Sequence, residues 1–141
     1  MNAQRMLITV RYARLIAGML LGLWLTACAS MSNRMDLLEQ SQRAYESALR
    51  WGHFDLAYAM HREADQHAAP APGTLANYRV TSYQVLSRSV AQDNASAEQT
   101  IELRYYNTDY LQERTLTARQ HWVYDAVQNR WLIASPIPVF R

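Results

Sequence analysis

Apolar positions along the chain fall into three textures. An uninterrupted uncharged run occupies 15–27, apolar residues return every three or four positions between 36 and 67, and after Thr74 they alternate in twos. From Asp36 to Trp51 the residues Leu38, Ser41, Tyr45, Ala48 and Leu49 recur at the spacing of one helical face. Asp36 reads as an N-cap or a first-turn acid, with Glu39 three residues on as in a capping box, and Gly52 reads as a left-handed stop. A second helix is predicted from Phe54 to His67, with Phe54, Ala57, Tyr58, His61 and Ala64 on one side. Two prolines and a glycine in 68–73 end it.

Strand texture follows. Tyr78–Ala91 is rich in Tyr, Val, Thr and Ser, and its alternation slips between Val80 and Tyr83, which predicts a bulge near Thr81-Ser82. Asp93-Asn94 makes a turn. Ala97–Asn107 then sets Ile101, Leu103 and Tyr105 against Glu102, Arg104 and Tyr106. Arg114–Ala126 places Leu116, Ala118, Gln120, Trp122 and Tyr124 on one face, opposite Arg119, His121 and Asp125. Gln128-Asn129-Arg130 turns into a short strand, Trp131–Ala134, and Pro136 and Pro138 stop further pairing. Two N-terminal helices followed by four strands in hairpin order predict an α+β fold, a curved four-stranded antiparallel sheet over the helices.

The uncharged run changes where this domain is expected to reside. Arg5, Arg11 and Arg14 precede it, and its thirteen residues fall short of the ~20 that cross a bilayer as a helix. Extending it backward would bury Arg11 and Arg14 in hydrocarbon. It ends in Leu25-Thr26-Ala27-Cys28, which resembles the bacterial lipoprotein signal. That resemblance implies cleavage between Ala27 and Cys28, a diacylglyceryl thioether on Cys28 and a further acyl chain on its freed amine. Two or three chains hold a protein stably on a membrane. Among such lipoproteins an Asp after the Cys favours the inner membrane. Ala29 stands here, which implies the outer membrane, lipid-anchored on its periplasmic side. The expected organisation is a signal peptide at 1–27, a lipid-anchored tether at 28–35 and one domain at 36–141.

Composition narrows the chemistry. The chain has 141 residues, half of them apolar, enough for one core. One Cys excludes an internal disulfide or a multi-cysteine metal site. Net charge is +2, but from Cys28 onward 11 Arg face 12 acids, a balance of −1, so a basic nucleic-acid binder is not expected. There is no Lys, which removes P-loop and Schiff-base chemistry. No cofactor is implied.

Two stretches carry a second resemblance. Ala48-Leu-Arg-Trp-Gly-His-Phe-Asp-Leu-Ala57 resembles the helix corner of the nuclear-transport-factor-two-like superfamily. Gln120-His-Trp122, Asn129-Arg-Trp131-Leu-Ile and Pro136-Ile-Pro138-Val-Phe140 resemble the closing hairpin of small proteobacterial lipoproteins with that fold. The likeness covers 36–140 and implies a cone-shaped domain. Its motifs are structural, so they speak to fold more than to function. His53 stands where that family often has a capping Asp, which weakens the cap of the second helix.

Candidate site residues follow from the phases. Tyr58, His61 and Asp65 lie at i, i+3 and i+7 on the second helix and could line a cavity as an acid–base group. The plainer reading has Tyr58 in the core and His61 at its polar edge. Gln120 among inward residues needs a hydrogen-bond partner, a ligand or a place at the cone's mouth. Tyr45, Tyr58, His61, Gln120 and Trp122 are therefore the candidate cavity lining. His53 and His121 lack metal-ligand spacing, so no metal is expected. Aromatics including Trp51 and Tyr124 exceed what a small core requires, and Tyr106 and Tyr110 fall on the opposite strand face or its loop. The reading adopted is an outer-membrane lipoprotein with a non-catalytic binding or structural domain. Its partner would be the membrane through Cys28, with a small apolar ligand or an envelope protein besides. The alternative is a cavity enzyme of ketosteroid-isomerase-like or polyketide-cyclase-like type.

Overall fold

The computed structural model of the chain describes residues 33–67, 69–71 and 73–141. The expected signal segment, its cleavage position at Ala27–Cys28 and Cys28 itself lie outside them. Among the described residues no helix is long and apolar enough to cross a membrane.

Helix α1 runs over 33–50. The chain is already helical at Asn33, so Asp36 lies inside the helix and does not serve as its N-cap, contrary to the capping-box expectation. The buried face is Leu38, Gln42, Tyr45, Ala48 and Leu49. Gln42 takes the place expected for Ser41, whose half-buried hydroxyl instead donates to the Leu37 carbonyl (2.8 Å). At the C-terminus Gly52 adopts φ +76°. Its N–H reaches Leu49 O (3.2 Å) and the His53 N–H reaches Ala48 O (2.8 Å), the paired bonds of a Schellman stop.

The expected helix over 54–67 is instead two short ones, α2 (Phe54–Tyr58) and α3 (Glu63–Gln66). Between them the chain is drawn out by the sheet. Ile133 N–H donates to Met60 O and Arg62 N–H to Ile133 O, both at 2.9 Å, so His61 forms a parallel bridge with Ile133. These groups find strand partners in place of helical ones, which removes His61 from the helical row with Tyr58 and Asp65. His53 at the N-cap of α2 makes no side-chain cap bond.

Four strands follow: β1 (Tyr78–Val90), β2 (Ser96–Asn107), β3 (Glu113–Asp125) and β4 (Arg130–Ile133). They form one open antiparallel meander in the order β1-β2-β3-β4. The fold is α+β. A register shift between Val80 and Ser82 matches the expected bulge, and a second lies between Val85 and Ser87. Strand β2 alternates cleanly, burying Ala97, Gln99, Ile101, Leu103 and Tyr105. On β3 only Gln120 and Trp122 are fully enclosed, with Leu116, Ala118 and Tyr124 half-buried. The segment after β4 returns to the core through Ile137 and Phe140, whose ring meets Phe54 at 5.3 Å and Tyr105 at 4.9 Å. Trp51, one of the aromatics beyond what a small core requires, lines neither core nor cavity. It stands 78% exposed because it falls on the outer side of the Gly52 corner.

Candidate functional site

The site is built on one histidine. Its place in the bridge to β4 turns His61 inward, where it is 1% exposed and far from the polar edge where the plainer sequence reading put it. Its Nδ1 lies 3.0 Å from the Ser135 carbonyl. A carbonyl only accepts, so Nδ1 carries the proton and Nε2 presents a lone pair. That lone pair accepts from the Tyr45 hydroxyl at 3.3 Å. Burial lowers the His61 pKa, and the Ser135 carbonyl and the charge of Asp65 oppose the shift without reversing it. The ring is held neutral.

Tyr45 packs edge-on against Trp122 (centroids 6.0 Å, 86°), bringing α1 onto β3 at this point. Gln120, one inward position before Trp122, is the hub of the polar side. Its Oε1 accepts from Trp122 Nε1 (3.4 Å), Gln99 Nε2 (3.3 Å) and the Tyr83 hydroxyl (3.5 Å). Gln99 Nε2 also donates to the Tyr83 hydroxyl (3.1 Å), and Gln99 Oε1 accepts from Arg88 Nε (3.3 Å) at the surface end of this chain of bonds. An indole N–H only donates, so Trp122 fixes which end of the Gln120 amide is the oxygen. The other end, Nε2, is buried without an acceptor. Gln120 also lies near enough to the Tyr45 hydroxyl to temper the upward shift that burial imposes on that phenol. Burial likewise raises Tyr58 and Tyr83, so all three are neutral hydrogen-bonding groups at physiological pH.

Three further buried atoms have no partner: Nε2 and Oε1 of Gln42, and the Tyr58 hydroxyl. Gln42 lies one turn before Tyr45 on the buried face of α1. The Tyr58 phenol is close enough to Tyr45 to disfavour its ionisation, and its ring meets His61 edge-on at 6.4 Å. Buried amides and hydroxyls are normally paired. Of these three atoms, the Tyr58 hydroxyl belongs to a ring that meets His61, so it is the unpaired group beside this histidine.

Tyr58 also borders a groove of about 690 Å³ on the outer side of α2, walled by Phe54, Ala59, Ala69, Pro70 and Leu75 among others. The groove is largely apolar, and Tyr58 stands between it and the polar cluster.

Of the residues singled out from sequence, Tyr45, His61, Gln120 and Trp122 come together and Tyr58 adjoins them. His53 is exposed at the α2 N-cap. His121 lies on the other sheet face, 3.8 Å from Glu98, which also pairs with Arg119. Asp65 pairs with Arg62 (3.3 Å), and its charge is still felt by His61. Gln42, Tyr83, Gln99 and Ser135 were not singled out. Gln99 shares the alternation of Ala97 and Ile101, and Gln42 the helical spacing of Leu38 and Tyr45, so both carried a signal. Among the described residues no group of three or more His, Cys, Asp or Glu is placed to hold a metal ion.

No protein-family model matches the chain, and no characterised protein matches it in sequence. Among solved structures, a SEC-C motif containing protein from Psychrobacter arcticus superposes with a TM-score of 0.54 at 12% identity. The match covers 75% of this chain and 63% of that one, so the chain spans less than two thirds of that protein's length. At this identity the likeness is one of fold alone.

Proposed function

We propose that the chain is an outer-membrane lipoprotein whose folded unit binds a small, mainly apolar molecule without transforming it. The observation that carries the binding reading is Tyr58, whose ring walls an apolar groove while its hydroxyl is buried and unpaired beside Tyr45. Apolar walls with a few convergent polar groups are the usual composition of a ligand site. The orientation of His61 favours binding over acid–base turnover, because its Nε2 lone pair is taken by the hydroxyl of Tyr45, which is fully enclosed. The anchor rests on the Leu25-Thr26-Ala27-Cys28 pattern and on Ala29. The meander with its two register shifts supports the cone-shaped, nuclear-transport-factor-two-like form.

Native mass spectrometry of the detergent-extracted full chain tests both parts. We expect acyl mass on Cys28 and a retained small molecule that is lost in Ala59→Trp, which fills the groove. A chain without acyl mass overturns the anchor, and a molecule retained equally by Ala59→Trp overturns the groove.

A further inference from the structure

We infer that the groove beside α2 takes ligands that carry a positively charged amine on an apolar body, with the Asp55 carboxylate as the counter-charge on its wall. This rests on the binding reading above and adds the chemistry of the head.

The composition of the groove sets the choice. Its walls are built mainly from Phe54, Tyr58, Ala59, Pro70 and Leu75, and among its described lining residues Asp55 alone bears a charge. Elsewhere on the helices Glu39, Glu46 and Asp65 are each paired with an arginine within one turn. Asp55 has no ion pair and no side-chain hydrogen bond among the described residues. Its negative charge is therefore open to a partner that enters the groove.

Acceptors gather on the same wall. Asp55 lies one turn before Ala59, whose N–H donates to the Asp55 carbonyl at 3.0 Å. The Ala59 carbonyl in turn accepts from Gln66 Nε2 at 3.4 Å, and the same nitrogen donates to the His61 carbonyl at 2.7 Å. Both partners are carbonyls, so the bonded end of the Gln66 amide is the nitrogen, and Oε1 is left as an acceptor. Asp55, Ala59 and Gln66 all line the groove, so this chain of bonds holds a carboxylate and an amide oxygen beside one cavity. An ammonium group has three N–H donors and no lone pair, and it matches them. A carboxylate head meets acceptors and like charge there, and loses its hydration without return.

Neighbouring charge points the same way. Over 54–66 the acids Asp55, Glu63 and Asp65 stand against one arginine, Arg62, which is bonded to Asp65. Arg79, at the Ala76 end of the groove, is exposed and donates to the carbonyls of Ala76 and Tyr78. Apolar walls exclude part of the surrounding water, so Asp55 attracts a cation more strongly here than on an open surface. Asp55 is itself exposed, which holds the preference to the range of a surface ion pair, about fivefold. An acid in the first turn of α2 also favours the helix through its dipole, but that role does not tell an amine from an alcohol.

Adamantylamine, adamantanol and adamantane carboxylate test this, since one apolar body carries an ammonium, a hydroxyl and a carboxylate in turn. They are titrated by calorimetry at pH 7.5 into the full chain in an uncharged detergent. The amine is expected to bind about fivefold more tightly than the alcohol, and the carboxylate more weakly than either. Raising the salt to about 0.5 M should remove most of that preference. Asp55→Asn should bring the amine down to the affinity of the alcohol and leave the alcohol unchanged, with a melting curve showing that the fold is intact. Partition into micelles is the same for both chains and cancels in that comparison. Ala59→Trp should block all three compounds. Equal binding of amine and alcohol, or a preference that survives in Asp55→Asn, overturns the charge inference. Block of the alcohol by Ala59→Trp would then leave the groove reading standing. If Asp55→Asn does not fold, the salt series on the wild-type chain decides, and a preference that salt leaves unchanged overturns the inference. Failure of amine and alcohol alike to bind the wild-type chain overturns both.

Discussion

Replacing Gln42 by Leu should make this protein more stable, an unusual direction for a substitution on a buried helix face. Gln42 is 4% exposed and neither end of its amide has a partner. A buried polar group left unpaired costs about 1–3 kcal/mol. Leu has nearly the same reach and returns apolar surface to the face formed by Leu38, Tyr45 and Leu49. The expected gain is therefore about 1–3 kcal/mol. At roughly 4–8 °C per kcal/mol for a unit of this size, the midpoint should rise by about 4–24 °C. The assay is a thermal melt by circular dichroism on full-length protein refolded from denaturant, so that wild type and variant start free of bound molecules. Gln42→Ala is the control, with a smaller gain because the missing methylenes leave a void. A midpoint that falls in Gln42→Leu would show that the amide is well paired in solution. A rise would mean that stability is given up here for a polar group with work to do elsewhere.

Two further outcomes follow from particular residues. His61 has a pKa below its usual 6.5 in the folded chain, so the unfolded chain binds the extra proton first. Stability should be full above about pH 6.5 and fall as the pH drops from there through the lower folded value; His61→Gln should flatten that slope in melts across pH 4.5–8, and an unchanged slope would refute it. Leu111 holds φ +49° in the β2–β3 loop while 75% exposed, a conformation that costs an L side chain roughly 1 kcal/mol. Leu111→Gly should raise the midpoint by a few degrees, and a drop would show that its side chain is held by something other than solvent.

Much of this fold can be read from side-chain spacing, and the exceptions share one cause. Strand β2 was legible because Ala97 to Tyr105 alternate without a break and one face is buried. The first bulge was legible because the alternation slips at Thr81; the second was not, because after Val85 both faces of the edge strand are exposed and no burial pattern remains to slip. The end of α1 was marked by Gly52. What spacing did not reveal is the break at His61, where Phe54 to His67 is periodic enough for one helix. The competing partner, Ile133, lies some seventy positions away, and a local pattern carries no information about it. The same contact decides the site. Tyr45, Gln120 and Trp122 were inward by phase alone, but their meeting with His61 depends on that distant bridge. Gln42 was passed over for Ser41 because a three- or four-residue step fits either.

The clip at His61 also orders the way this chain comes together. The meander pairs neighbours in sequence, so each hairpin closes only a short loop. His61 and Ser135 are 74 positions apart, and joining them encloses the whole sheet in one loop. Contacts of such long reach are entropically costly until the intervening chain is already compact. The clip therefore closes last, over a formed sheet, and it is also the seam that can open without unravelling the strands. The backbone bonds of 60–62 and the imidazole bond to Ser135 hold the same seam, and Tyr58 lies three residues before it. The wall between groove and polar cluster thus shares its hinge with the final step of folding.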